Sequence, residues 1–312
     1  MERTISLSDL RKVVDEAYEQ FKDEHAGSVD PRIKDAKADD FGISVVLTDG
    51  TVINKADAQT PAAIGNISKI PTSIALLSQM SPEDLMKKSG CCCKCKKDGK
   101  KQKPDIPVSS HGIRAVSAIE PTGDPDGKWN VIINNMINLM GSAPELDDNL
   151  YKSLKDEVAK ADVENVLAAD GFSLYDDAPT AIDLYIRQMA MKATTEQLAT
   201  MCATIAADGR NPKTGEHVFD GTISQRVVAM MAIHGPHKES KPWMMATGLP
   251  AKSGFGGAIA GVMPGAFGIA AYSPELNEAG VSIKAAQAIR YIMNKLQLSV
   301  FASSRVKIDT SK

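Results

Sequence analysis

The residues with the most evident chemical potential stand close together about a third of the way along the chain. Four of the five cysteines, Cys91, Cys92, Cys93 and Cys95, occupy five positions, inside a window from Lys87 to Lys103 that holds eight lysines and one aspartate. Thiolates bind thiophilic metals, cysteines beside a basic run can carry lipid, and lysines attract anionic partners. Side chains of adjacent cysteines diverge, however, so they cannot easily surround one tetrahedral ion.

We interpret this Cys/Lys window, at about residues 88–106, as a poorly ordered surface loop, because it has no apolar face to offset the entropy of ordering. Contact with a membrane through this loop is the less favoured alternative, in which lipid chains and lysines act as two weak anchors. Clustered cysteines do not make a disulfide framework, and no basic N-terminal start precedes an apolar run. We therefore expect a cytoplasmic protein.

Other chemical motifs in the sequence are weaker. His234 and His237 have the spacing of two metal ligands, but the intervening Gly-Pro prevents the helix that would aim both rings at one ion. Cys202 falls on an apolar helix face, which favours a place in the core. The glycines after Lys252 lack the spacing of a phosphate-binding loop. The residues therefore predict no metal and no cofactor, and the net charge of −3 gives no reason to expect nucleic acid as a partner.

The elements that must position any site are predicted from periodicity and turn signals. Two β-branched runs flank Asp49-Gly50, which indicates a hairpin over about residues 42–54. The uncharged stretch from Ser253 to Pro274 is long enough to cross a bilayer, but Pro264-Gly265 divides it into two short apolar runs. We interpret it as two buried strands and a turn.

Helical spacing marks both ends of the chain, over Leu7–Phe21 and Val281–Leu298, and most of the middle. Around Ile67 to Leu77 the helix either starts late or is distorted, because Pro71 is tolerated only in a first turn. The order of elements predicts an α/β fold in which an antiparallel sheet is flanked by helices and an all-helical domain is inserted. Residues 1–64 and 246–312 would form the sheet domain and residues 65–245 the helical domain, with a ligand in the cleft between them.

Several longer motifs, in the same order along the chain, carry a family resemblance. Gly248-Leu-Pro-Ala-Lys252-Ser-Gly254-Phe-Gly-Gly257, with the segment from Met263 to Gly280, resembles the C-terminal signature of the serine-dependent glutaminases. Further matches fall at Asp57–Pro61, Ile67–Lys69, Glu120–Pro125, Tyr185–Gln188 and Ala206–Pro212. The resemblance implies the fold of the serine β-lactamases and penicillin-binding proteins, and the hydrolysis of L-glutamine to L-glutamate and ammonia.

The chemistry that the resemblance implies needs a serine nucleophile, a lysine three residues later, a second lysine and a tyrosine. Carried onto this chain, the serine position holds Asn66, whereas Lys69, Tyr185 and Lys252 are retained as candidates for proton transfer. Two lysines close together lower one another's pKa, which suits a base near neutral pH. Retention for packing or hydrogen bonding is the alternative interpretation of the three residues.

The substrate-binding positions that the resemblance implies are largely changed. The family's asparagine matches Asn130, with Asn134 as a rival, while a glutamate matches Leu154 and a second asparagine Ala161. A tyrosine before Gly-Leu-Pro is matched to Met245, and Phe255 replaces a valine after the retained Ser253 and Gly254. Leucine, methionine and phenylalanine would make the pocket apolar, which disfavours a doubly charged amino acid.

Two classes of function follow from these changes. One is an amidohydrolase descendant that lacks the serine nucleophile and whose cleft serves another small molecule. The other is a non-catalytic binding or regulatory protein that keeps the glutaminase scaffold. We expect either to form a homodimer or homotetramer.

Overall fold

The computed structural model describes residues 2–89, 108–169 and 173–311 of the chain. Cys91, Cys92, Cys93 and Cys95 therefore lie outside the described residues, together with most of the Cys/Lys window. The strands are β1 (Glu2–Ser6), β2 (Ser28–Val29), β3 (Gly42–Leu47), β4 (Val52–Ala56), β5 (Ala62–Ala63), β6 (Glu145–Leu146), β7 (Met191–Ala193), β8 (Ala251–Ser253), β9 (Ala258–Met263), β10 (Phe267–Tyr272), β11 (Glu275–Leu276) and β12 (Arg305–Asp309).

The described residues form two 3-10 turns and twelve α-helices. They are α1 (Leu7–Phe21), α2 (Lys69–Gln79), α3 (Pro82–Ser89), α4 (Ser110–Ser117), α5 (Pro125–Met140), α6 (Asp148–Lys160), α7 (Val163–Ala169), α8 (Ala178–Met189), α9 (Thr195–Ala206), α10 (Gly221–His234), α11 (Ser240–Thr247) and α12 (Ile283–Lys295). The 3-10 turns are Gly65–Ser68 and His237–Glu239.

The central sheet joins the two ends of the chain. Its strand order is β4-β3-β10-β9-β8, and every neighbouring pair is antiparallel. The predicted hairpins at residues 42–54 and 258–273 therefore share one sheet, which confirms that part of the sequence analysis. The uncharged stretch forms β9 and β10, and no helix in the described part of the chain is long and apolar enough to cross a membrane.

Alternate residues of the buried strands pack into two separate cores. Val45 and Ile269 pack with α1 and α12 on one face of the sheet, whereas Val46 and Ala270 pack on the opposite face with α9. Because both faces are covered, β3, β9 and β10 are buried along their whole length. This explains why these strands read as continuous apolar runs rather than as alternating ones.

The close packing of α9 on the sheet depends on a glycine. A Cβ atom added to Gly268 of β10 would lie 2.1 Å from the backbone oxygen of Ala199 and 2.3 Å from the backbone nitrogen of Ala203. No side chain fits there, so the helix backbone lies directly on the strand.

The segment from 65 to 245 is mainly helical, as predicted, but it is not all-helical. β6 and β7 lie within it and join β5 in a three-stranded sheet. Within the same segment, α9 supplies one cover of the central sheet, and all of its residues except Glu196 and Gln197 are buried. The expectation of an inserted domain made only of helices is therefore corrected, since this segment shares both a sheet and a core with the rest of the chain.

Candidate active site

Asn66 and Lys69 are positioned by the start of α2. A 3-10 turn over Gly65–Ser68 leads into the helix, and Pro71 falls in the first α-helical turn, where its missing N–H removes no helical hydrogen bond. The helix therefore starts late, which was one of the two alternatives. Residues three apart lie on the same side of a 3-10 turn, so Asn66 and Lys69 share a face.

Ser68 does not take the place of the missing serine. It is fully buried, and its hydroxyl has no hydrogen-bond partner among the described residues. In a 3-10 turn it lies two residues, or about 240°, from Asn66. The hydroxyl nearest to Lys69 in sequence therefore does not share the face of Asn66.

Lys252 comes from the opposite side of the site, on the edge strand β8. It is only 6% exposed, and its Nζ donates hydrogen bonds to the backbone oxygens of Gly235 at 2.6 Å and His234 at 3.4 Å. These bonds hold the turn that follows α10 against the strand. The turn brings the ring of His237 to Asn66, where the Asn66 Nδ2 and His237 Nε2 atoms are 3.0 Å apart.

Burial and like charge perturb the titration of these groups. Burial lowers the pKa of Lys69 to about 8, and burial together with the charge of Lys69 lowers the pKa of Lys252 to about 7. His237 keeps part of its surface in water, yet desolvation of its ring and the charges of Lys252 and Lys69 lower its pKa to about 4. Desolvation and the same two lysines also lower the pKa of His234.

The protonation of His237 fixes the direction of its bond with Asn66. An amide nitrogen only donates, so Asn66 Nδ2 is the donor and the neutral ring accepts at Nε2. Asn66, Lys69, His234, His237 and Lys252 together are called the two-lysine cluster below. Either lysine of this cluster can hold a proton. At the position of Asn66 the cluster has an amide in place of a hydroxyl or thiol.

Tyr185 lies on α8, which packs against both α4 and the 3-10 turn that carries Asn66. It is completely buried, and a Cβ atom on Gly112 of α4 would lie 2.7 Å from the Tyr185 hydroxyl oxygen. Burial raises the pKa of Tyr185. Lys69 is close enough to Lys252 to lower its pKa, and the Tyr185 side chain packs against Gly112 of α4.

The loop after β8 packs against the turn that carries Asn66. A Cβ atom on Gly254 would lie 2.2 Å from the backbone oxygen of Ile64, so only glycine fits. The ring of Phe255 lies against Gly65 and is covered by the Arg32 guanidinium, 4.4 Å from the ring centroid. Ser253 is fully buried, and its hydroxyl has no hydrogen-bond partner in the described part of the chain.

The remaining predicted binding residues form no hydrogen bond with the two-lysine cluster in the described part of the chain. Met245 is 90% exposed on α11, and Leu154 is fully buried in the hydrophobic core beneath α6. Asn130 and Asn134 are exposed on α5. The α5 asparagine that reaches α2 is Asn135, which donates to the backbone oxygen of Pro71 at 2.7 Å.

Sequence reasoning considered His237 only as a metal ligand and missed its contact with Asn66. The Gly-Pro that precedes it is the available signal, because it permits a tight turn in place of further helix. His237 indeed has a positive φ of 50° just beyond the end of α10. Within the described residues, no group of three His, Cys, Asp or Glu side chains is arranged to hold a metal ion.

Comparison with known proteins agrees with this architecture. The glutaminase family model matches residues 26–301. A glutaminase of Bacteroides thetaiotaomicron is 38% identical, covering 98% of this chain and 99% of its own. A glutaminase of Mycobacterium ulcerans is 31% identical over 96% of this chain and 96% of its own.

The solved structures point the same way. A probable glutaminase, YbaS, superposes with a TM-score of 0.84 at 29% identity, covering 96% of this chain and all of that one. The Bacillus subtilis glutaminase YbgJ, in covalent complex with 5-oxo-L-norleucine, has a TM-score of 0.79 at 23% identity over 94% of this chain and 99% of that one, and so supports the fold alone. The fold is that of the serine-dependent, β-lactamase-like amidohydrolases. The chain belongs to the glutaminase family.

Proposed function

We propose that this member of the glutaminase family does not hydrolyse glutamine and that its cleft serves a different small molecule. The observation that carries the proposal is Asn66, which stands on the same face as Lys69 with its amide nitrogen 3.0 Å from His237. Acyl transfer from an amide needs an ionisable hydroxyl or thiol at that point. A carboxamide nitrogen is too weak a nucleophile to replace it.

The binding positions support the same proposal. Leu154, matched to the family's glutamate, is part of the core and offers no charge to the substrate's ammonium group. Ala161, matched to an asparagine, has no polar side chain. Glutamine bound without such partners would not be held in the reacting orientation, and orientation is worth about 7–11 kcal/mol of a barrier.

The test is ammonia release from L-glutamine by the wild-type chain and by Asn66→Ser, with the Bacteroides thetaiotaomicron glutaminase as positive control. We expect no turnover from the wild type and none from the variant, because the serine repairs only the nucleophile. Turnover by the wild type would show that the nucleophile lies elsewhere. Turnover by Asn66→Ser would show that the substrate site is intact.

The second candidate is a non-catalytic binding or regulatory protein. One observation favours it: two cavities, of about 540 Å³ and 320 Å³, are lined by residues other than Asn66, Lys69 and Lys252. The first is an open cleft lined by residues of α5, α6, α7 and α8. Cavities lined by other residues suit binding of a ligand without catalysis by these three.

A further inference from the structure

A stack of two side chains lies where three distant segments of the chain meet. The Arg32 guanidinium carbon is 4.4 Å from the centroid of the Phe255 ring, and a Cβ atom on Gly65 would lie 2.7 Å from the Cδ1 atom of the same ring. Gly65 immediately precedes Asn66, and Phe255 stands three residues after Lys252. The ring therefore lies between the two segments that supply the candidate site.

The Phe255 ring also lies where the site opens to water. Asn66, Lys69 and Phe255 are each partly exposed. Lys252 and Ser253, which come just before Phe255 in the chain, are buried. Access to Lys252 from this side therefore runs past the ring.

Arg32 is held over the ring by two carboxylates. Its Nε and Nη2 atoms donate to the two carboxylate oxygens of Asp30, at 2.8 Å and 2.5 Å, and its Nη1 lies 3.6 Å from Oε2 of Glu157 on α6. The Arg32 side chain is 18% exposed. A planar guanidinium fixed by a bidentate pair is preorganised to stack on an aromatic face, so it covers the ring in one orientation.

The segment that carries Arg32 is anchored at both of its ends. Nζ of the fully buried Lys284 on α12 donates to the backbone oxygens of Lys22 at 3.1 Å and of Ala38 at 3.3 Å. Between these two points, β2 pairs with β11. The position of Arg32 over the ring is therefore set by the fold.

The backbone on both sides of the ring leaves it little room to move. A Cβ atom on Gly254 would lie 2.2 Å from the backbone oxygen of Ile64, and one on Gly256 would lie 2.1 Å from the backbone oxygen of Ala63. The chain around the ring is thus pressed against the segment that leads into the 3-10 turn. With the guanidinium over its face, the ring is held at this place.

We propose that the stacked Arg32 and Phe255 side chains are a size filter, which admits small molecules to Lys69 and Lys252 and excludes bulky ones. The resemblance matches Phe255 to a valine, so a much larger side chain stands here than in the family's pattern. The inference rests on the proposed function, because it states which size of molecule the changed site serves.

The test compares two anionic reagents of different size that modify unprotonated lysine amines, cyanate and trinitrobenzenesulfonate. Their rates with Lys69 are measured at pH 8 in the intact protein, by mass spectrometry of the digested chain, because burial lowers the pKa of Lys69 to about 8. Both reagents attack the same amine, so the ratio of their rates cancels any change in the protonation of Lys69. In the wild type we expect the rate ratio of the bulky to the small reagent to be lower at Lys69 than at Lys241, which is exposed on α11.

Variants assign the filter to the stack. Phe255→Val and Arg32→Met should each raise this ratio at Lys69 by at least about fivefold, the change that corresponds to the loss of a stacking contact of about 1 kcal/mol. Phe301→Val, which shortens a ring that is 73% exposed, is the matched control and should leave the ratio unchanged.

Two results overturn the proposal. One is a wild-type ratio at Lys69 that equals the ratio at Lys241, and the other is an unchanged ratio in a folded Phe255→Val or Arg32→Met chain. Circular dichroism and thermal unfolding show whether each variant is folded, and either variant of the stack suffices if the other is not.

The outcome can be separated from that of the proposed function. Equal access of both reagents to Lys69, in a protein that does not hydrolyse glutamine, refutes the size filter alone. Hydrolysis of glutamine refutes the proposed function, whatever the labelling shows.

Discussion

Replacing Lys252 by methionine should change how the stability of the protein depends on pH. Lys252 is 6% exposed, and its pKa in the folded chain is lowered to about 7 by burial and by Lys69. In the unfolded chain a lysine titrates near pH 10.4. Between these values the unfolded state binds more protons than the folded state, so this residue makes the free energy of unfolding rise with pH.

The size of the effect follows from the shift. A full pKa unit corresponds to about 1.4 kcal/mol. The unfolded chain holds about one half of a proton more on Lys252 than the folded chain at pH 7, and nearly one proton more at pH 9. The free energy of unfolding should therefore gain about 2 kcal/mol from Lys252 between pH 7 and pH 9. The hydrogen bonds to Gly235 and His234 that Lys252→Met removes also contribute, but the ionisation of Lys252 dominates the change with pH.

The assay is urea denaturation of the wild type, Lys252→Met and Lys241→Met at pH 7, 8 and 9, followed by circular dichroism. The difference between Lys252→Met and the wild type should move by about 2 kcal/mol in favour of the wild type as the pH rises. The exposed control Lys241→Met should track the wild type. Parallel curves for Lys252→Met and the wild type would mean that Lys252 titrates normally in the folded chain and that the electrostatic account of the cluster is wrong.

Two further predictions concern buried contacts elsewhere in the fold. Lys128 and Asp176 form a buried ion pair. Lys128→Met should lower the free energy of unfolding, measured by urea denaturation, by about 3–5 kcal/mol, because it leaves Asp176 without its ionic partner. Adding Asp176→Leu should recover most of this loss. Gly268→Ala should lower the free energy of unfolding in urea denaturation by at least about 1–3 kcal/mol, because its Cβ would meet the backbone of α9, and an unchanged free energy would contradict the packing argument.

The sequence by itself determined most local structure. Asp49-Gly50 and Pro264-Gly265 mark turns between apolar runs, and the corresponding strands β3, β4, β9 and β10 formed where these signals lie. Pro71 limited where α2 could begin. These features are predictable because turn geometry and side-chain periodicity depend on residues only a few positions apart.

The division of the chain was predicted less well. An inserted domain made only of helices was expected, yet α9 lies on the central sheet and two short strands lie in the middle segment. Periodicity shows that a helix has an apolar face, but it does not show which surface covers that face. Gly268 permits the contact with α9, and its role becomes visible only when both elements are in place.

The candidate site was decided mainly by the tertiary structure. Asn66 and Lys69 share a face because they are three residues apart at a 3-10 turn. Lys252, in contrast, comes from a strand far along the chain. His237 contacts Asn66 from a turn whose backbone accepts hydrogen bonds from Lys252. Met245 was matched to a site position by its place before Gly-Leu-Pro, yet it lies exposed on α11. Residue types predicted which groups could do chemistry. Their burial, their charge neighbours and hence their pKa values depend on contacts between segments distant in sequence, which only the packed chain provides.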